Sequence, residues 1–215
     1  TLDIVIHLSN YHYRKGGLWD FLMLGPHRVI SQHWIRDYII TFFLVGSFII
    51  IALYHLTLYL YRTSDPSPLY FSIFCLLIVV RTLSTDLYII ANFLPWNWVI
   101  RSELLSFYWC VPVFLAFTFA VYPGVMPAVI RRIVFTVTAV FSAIVLLLPT
   151  RWSTYTVIPF EVFAIIICLY GFYKILTTRW RYRDNFSIFL LGLLCLFITL
   201  VNDSLHANNL ISTFF

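Results

Sequence analysis

The stretch DYIITFFLVGSFIIIALYHLTLYLY, Asp37–Tyr61, decides the fold class. After its opening aspartate it carries no charged side chain, a single glycine (Gly46) and a single histidine (His55). Crossing the ~30 Å hydrocarbon core of a bilayer as a helix takes roughly 20 predominantly apolar residues, and this run supplies them. Working outward, comparable stretches recur near residues 69–94, 99–122, 129–149, 155–177 and 185–202. The sequence therefore predicts an all-α membrane protein, a polytopic bundle of six spans over residues 37–202. Pro112 and Pro159 fall inside the third and fifth spans, where each missing N–H predicts a kink.

Composition agrees. The chain is 61% hydrophobic and 20% aromatic but only 11% charged, with a mean hydropathy of +0.90; soluble domains carry about a quarter charged residues. The net charge of +5 does not point to nucleic acid, because the basic residues sit in the joints between apolar runs. Cys75, Cys110, Cys168 and Cys195 all lie inside those runs without CxxC spacing, so they read as packed thiols rather than as a disulfide framework or a metal site. His55 has no second mid-membrane histidine, which argues against a bis-histidine haem. No cofactor or metal is expected.

Loop charge sets the expected direction. One side of the bundle holds Arg62, Arg131, Arg132, Lys174, Arg179, Arg181 and Arg183, the other only Arg101 and Arg151. The positive-inside rule makes the first side cytoplasmic. The turn Pro95-Trp96-Asn97-Trp98, with two indoles suited to the membrane interface, then lies outside. So does the N-terminus, since Arg14, Lys15, Arg28 and Arg36 belong to a translocated domain and its linker, which the rule discounts.

Residues 1–20 read differently from the rest. Leu2, Ile4, Ile6 and Leu8 alternate with Asp3, Val5, His7 and Ser9, the period of a half-buried strand, and the turn-forming SNYHYRKGGLWD follows. A lone strand lacks the partners it needs. The expectation is a terminal strand or hairpin of an extracytoplasmic β domain at residues 1–20, a juxtamembrane linker at 21–36, and an outer loop at 203–215 leading to a missing seventh helix.

Taken in order, SNYHYRKGGLW with LGPHRVI, YHLTLYLYRTSDPSPLYFSIFCLLIVVRTL, LPWNWVIRSELLSFYWCVPVFLAF and VNDSLHANNLIST resemble the bacterial seven-transmembrane receptors with diverse intracellular signalling modules. The resemblance implies a jelly-roll domain outside, seven helices in the cytoplasmic (inner) membrane, and a cytoplasmic output such as a histidine kinase, a diguanylate or nucleotide cyclase, or a serine phosphatase. It transfers no catalytic residues, and any enzymatic activity would reside in that absent module. Partners are then the lipid bilayer, the β domain, the output module and a second copy in a homodimer.

Charged residues within the spans are costly and mark candidate sites. Arg81, taken as about 18 Å into the second span at 1.5 Å per residue, should face the bundle interior and find a partner on another helix. Asp86, five residues on, is turned roughly 140° away from it. Asp86, Glu103, Glu161 and Asp203 all come to the outer third of the bilayer, joined there by Arg101 and His206. Together these seven form a structural ion network, a polar pocket for a small ligand or cation, or a proton relay. Asp203 and His206, three residues apart, supply two metal ligands without a third.

A signalling receptor is the reading these features favour. A small-solute transporter, with coupling acids in the outer half, is the alternative, although the two halves show no repeat and few glycines interrupt the spans. An intramembrane enzyme finds no motif: HExxH, GxSxG, P-loop and dinucleotide glycine patterns are all absent.

Overall fold

The computed structural model describes Val5, His7 and residues 24–85, 88–124, 127–178, 189–195 and 197–199. These residues build helices α1 (His27–Tyr61), α2 (Ser67–Thr85), α3 (Trp96–Val121), α4 (Ala128–Leu147), α5 (Thr150–Ser153) and α6 (Val157–Thr178). Single 3-10 turns at Ile89–Asn92 and Thr154–Thr156 precede α3 and α6. Among the described residues five helical segments are long and apolar enough to cross a membrane: α1, α2, α3, α4 and the continuous Thr150–Thr177. Within the sixth expected span, a shorter apolar helix covers Phe189–Thr199. The strand expected over residues 1–20, Val5 and His7 apart, and the tail 203–215 lie outside the described residues.

Three boundaries differ from the sequence reading. The helix expected to begin at residue 37 begins at His27 behind Pro26, so most of the linker 21–36 is a rigid extension of α1. At 35 residues this helix is about 52 Å long, well beyond the ~30 Å hydrocarbon core. Its extension carries a polar cluster in which His33 Nδ1 lies 2.9 Å from Asp37 Oδ2 and Arg36 Nε lies 3.5 Å from Asp37 Oδ1.

The second span was expected to reach residue 94, but α2, whose last described residue is Thr85, ends before Tyr88. Tyr88, with φ 47° and ψ 37°, is left-handed and cannot continue a right-handed helix. Finally, Pro159, expected inside the fifth span, stands in the first turn of α6 directly after the 3-10 turn, where backbone N–H groups have no intrahelical partner anyway. Its ring bears on the carbonyl four residues earlier, at Tyr155, which is the centre of the 3-10 turn.

α3 is the axis of the bundle: half of its apolar window is buried, against 17% for α1 and 22–28% for the other spans. One core cluster joins Ile100, Leu104, Phe107 and Tyr108 of α3 to Val145 of α4 and Phe160 and Ala164 of α6. A second joins Leu115 and Tyr122 to Val134, Ile167 and Ile175. α1 packs on α2 through small residues: Ser72 Oγ donates to the Ala52 carbonyl at 2.9 Å, and the two residues are 2% and 1% exposed. Close backbone approach through small side chains is how helices associate where lipid removes the hydrophobic drive between them. Much of the rest of α1, including Ile39, Phe43, Ile50 and Leu60, is exposed, as an element facing acyl chains should be.

Loops pair up at the two ends. Thr150 donates to Asn97 Oδ1 at 3.3 Å and Arg101 reaches the Leu148 carbonyl at 3.5 Å, so the α2–α3 and α4–α5 connections share one end. At the other end Pro66 of the α1–α2 turn borders the same cleft as Arg131 and Arg132 of α4. Gly124, at φ +89°, supplies the left-handed residue that turns the chain from α3 to α4.

Candidate functional site: the polar seam between α2 and α3

Near the α2–α3 connection the apolar packing gives way to polar residues. α2 contributes Arg81, Ser84 and Thr85; α3 contributes Ser102, Glu103 and Ser106 together with Phe107. The four-residue spacing puts each set on one helix face. The hydroxyls of Ser84 and Ser102 lie 3.0 Å apart across the seam. Each also donates or is anchored locally, Ser84 to the Val80 carbonyl at 2.7 Å and Ser102 to the Val99 carbonyl at 2.8 Å. Ser106 donates to the Glu103 carbonyl at 2.9 Å. The Thr85 hydroxyl is buried and has no hydrogen-bond partner among the described residues.

Arg81 does face the bundle interior. Its guanidinium lies 4.7 Å over the centre of the Phe107 ring, and its charge acts on Glu103 and Cys110 of α3. Because α2 ends before Tyr88, Arg81 lies within about 9 Å of the helix terminus rather than mid-span, which lowers the cost of holding a cation there. Tyr88 closes the seam. Burial and the negative charge of Glu103 push its phenol above the ordinary tyrosine range, and its ring packs 5.1 Å from Trp96. A non-glycine residue held at positive φ beside a charged pair is the kind of local strain that clusters at functional positions.

The other expected members separate. Arg101 points around α3 toward the α4–α5 connection, where its guanidinium lies 5.2 Å from the Trp98 ring and its Nε is buried without a hydrogen-bond partner among the described residues. Glu161 sits in α6, 8% exposed, next to Phe160, which packs 4.2 Å from Tyr108; the Tyr108 hydroxyl in turn lies 2.7 Å from that of Thr156. Thus Arg81 and Glu103 come within electrostatic reach of each other across the seam, whereas Arg101 and Glu161 stand on other faces. Asp86, Asp203 and His206 lie outside the described residues.

Phe107, Tyr88 and the Ser84–Ser102 contact were not singled out from the sequence. Spacing offered the signal: Ser102, Glu103, Ser106 and Phe107 recur at helical intervals opposite Arg81, Ser84 and Thr85.

A bundle of membrane-length helices defines a multi-pass membrane protein. The match of residues 37–215 to the 7TM diverse intracellular signalling family model covers most of the chain, and the chain belongs to that family of transmembrane signalling receptors. No curated protein and no solved structure matches it.

Proposed function

We propose that this chain is the membrane domain of a bacterial inner-membrane receptor that couples an extracytoplasmic ligand or domain to a cytoplasmic output module, with the α2–α3 seam as the moving joint. The N-terminus and the α2–α3 connection lie outside in this reading. Charge distribution supports it, since Arg62, Arg131 and Arg132 gather at one end of the bundle and Arg101 at the other. The observation that carries the proposal is the contact of Arg81 on α2 with the Phe107 ring of α3, within electrostatic reach of Glu103. A charged contact inside a bilayer is strong when made and expensive when broken, so it gives the two helices distinct arrangements instead of a continuum.

A signal acts to the extent that it favours one arrangement over the other. The helical extension of α1 over residues 27–36 transmits the bias from an outer domain without the slack of a flexible linker. A histidine kinase, a diguanylate or nucleotide cyclase, or a serine phosphatase would receive it, in a monomer or a homodimer.

The test locks the seam. With Cys75, Cys110, Cys168 and Cys195 replaced by alanine, Ser84→Cys and Ser102→Cys place two thiols where the hydroxyls now lie 3.0 Å apart. Oxidation in cells expressing the full receptor should fix its output at one level, and reductant should release it. An output that ignores the cross-link, once the disulfide is verified by mass spectrometry, refutes the seam as the joint.

A further inference from the structure

At the opposite end from the seam, the start of α2, the last turns of α3 and the first turns of α4 enclose a cleft of about 390 Å³. That is within the roughly 300–1,000 Å³ typical of ligand sites. Tyr70, Ala116, Phe119 and Phe135 form its apolar wall, and Arg131 and Arg132 both line it. Arg131 lies 5.5 Å over the Phe119 ring. Among the described residues neither arginine has a hydrogen bond or an ion pair. The neighbouring carboxylate, Asp65, is engaged by the Ser67 N–H at 3.0 Å and does not line the cleft.

Two guanidiniums without a carboxylate select an anion. Their forked donors match phosphate oxygens best, and the aromatic wall suits an apolar group attached to that phosphate. We infer that this cleft is a binding site for an anionic phosphate ester bearing an apolar group, held at the phosphate by Arg131 and Arg132. Anionic phospholipid headgroups and soluble phosphate esters share this chemistry, and the experiment separates them. The site stands on geometry at the α3–α4 end and is independent of the seam.

Native mass spectrometry of the full chain in detergent tests the inference, with dioleoyl phosphatidylglycerol, dioleoylglycerol and glycerol 3-phosphate as probes. Phosphatidylglycerol should give one saturable adduct and dioleoylglycerol, which has the same tails without phosphate, none. At roughly a tenfold effect or somewhat more for two interfacial arginines, the R131Q/R132Q variant should lose most of that adduct, while R151Q at the other end keeps it. Phe119→Leu, which removes the ring beneath Arg131, gives a second variant with a roughly threefold loss; thermal midpoints check that both variants fold. Displacement of the lipid by glycerol 3-phosphate assigns the site to a soluble ester, and resistance to displacement assigns it to the lipid. Non-saturating adducts, or adducts unchanged in R131Q/R132Q, overturn the inference.

Discussion

Replacing Arg81 by leucine, Glu103 by glutamine and both together probes the seam most sharply. Arg81 over Phe107 at 4.7 Å is a cation–π contact, worth about 0.5–1 kcal/mol when exposed and about 2 kcal/mol when desolvated. Breaking a fully buried ion pair costs roughly 3–5 kcal/mol because one charge is left stranded. Arg81 and Glu103 are half-buried and act on each other at longer range than a direct ion pair, so the cost falls well below that figure: about 1–2 kcal/mol for R81L or E103Q alone. Removing both charges together should cost less than the sum, a coupling of about 1 kcal/mol, well above the ~0.3–0.5 kcal/mol scatter of independent sites. Equilibrium unfolding in bicelles of the four species gives this number directly. A third cycle with F107L should show a smaller Arg81–Phe107 coupling of about 0.5–1 kcal/mol. Additivity within error in both cycles would show that the seam residues do not act on one another, and the proposed joint would be lost.

Other consequences are more local. Ser72→Leu inserts a branched side chain where Ser72 Oγ meets the Ala52 carbonyl, so α1 should separate from α2; spin labels on the two helices should report a longer distance, whereas Ser72→Ala should cost only about 0.6 kcal/mol. Tyr108→Phe, which removes the 2.7 Å contact with Thr156, should lower stability by about 0.5–1.5 kcal/mol with the ring cluster intact, as read from unfolding in the same bicelles. The Asp65 carboxyl is held below its usual value of 3.8 by the Ser67 backbone and side chain, then by Arg62. A depressed folded-state value means that the contribution is present above pH 4 and is lost as pH falls below it. The thermal midpoint of the wild type should therefore drop between pH 5 and pH 3 by a little more than that of D65N, the difference being small because the turn is wetted.

Hydropathy made the long helices legible because each apolar run is long enough to cross a bilayer and is bounded by polar or turn-forming residues, as in α3 and α4. It failed at the end of α2 because Leu87, Ile89 and Ile90 keep the run apolar while Tyr88 reverses the backbone sign, a feature without a compositional signature. The start of α1 was missed for the opposite reason: residues 27–36 are helical, but His27, Arg28, His33 and Arg36 interrupt their apolar residues and break the hydropathy run. Arg81 was legible as a residue needing a partner inside the bundle. Its ring partner Phe107 was not, since a phenylalanine in an aromatic-rich helix looks like any other core residue. Arg101 and Glu103 look like neighbours in sequence, yet two residues turn the helix by about 200° and send them to opposite sides of α3.

Orientation underlies the receptor reading, and paired cysteine accessibility tests it most directly. In the alanine-substituted background described above, Ser64→Cys in the exposed α1–α2 turn and Phe93→Cys in the exposed α2–α3 connection are treated with a membrane-impermeant maleimide. In intact spheroplasts Phe93→Cys should label and Ser64→Cys should label only after lysis. The reverse pattern, with Ser64→Cys labelled first, would place the arginine-rich end outside the cell and contradict the account.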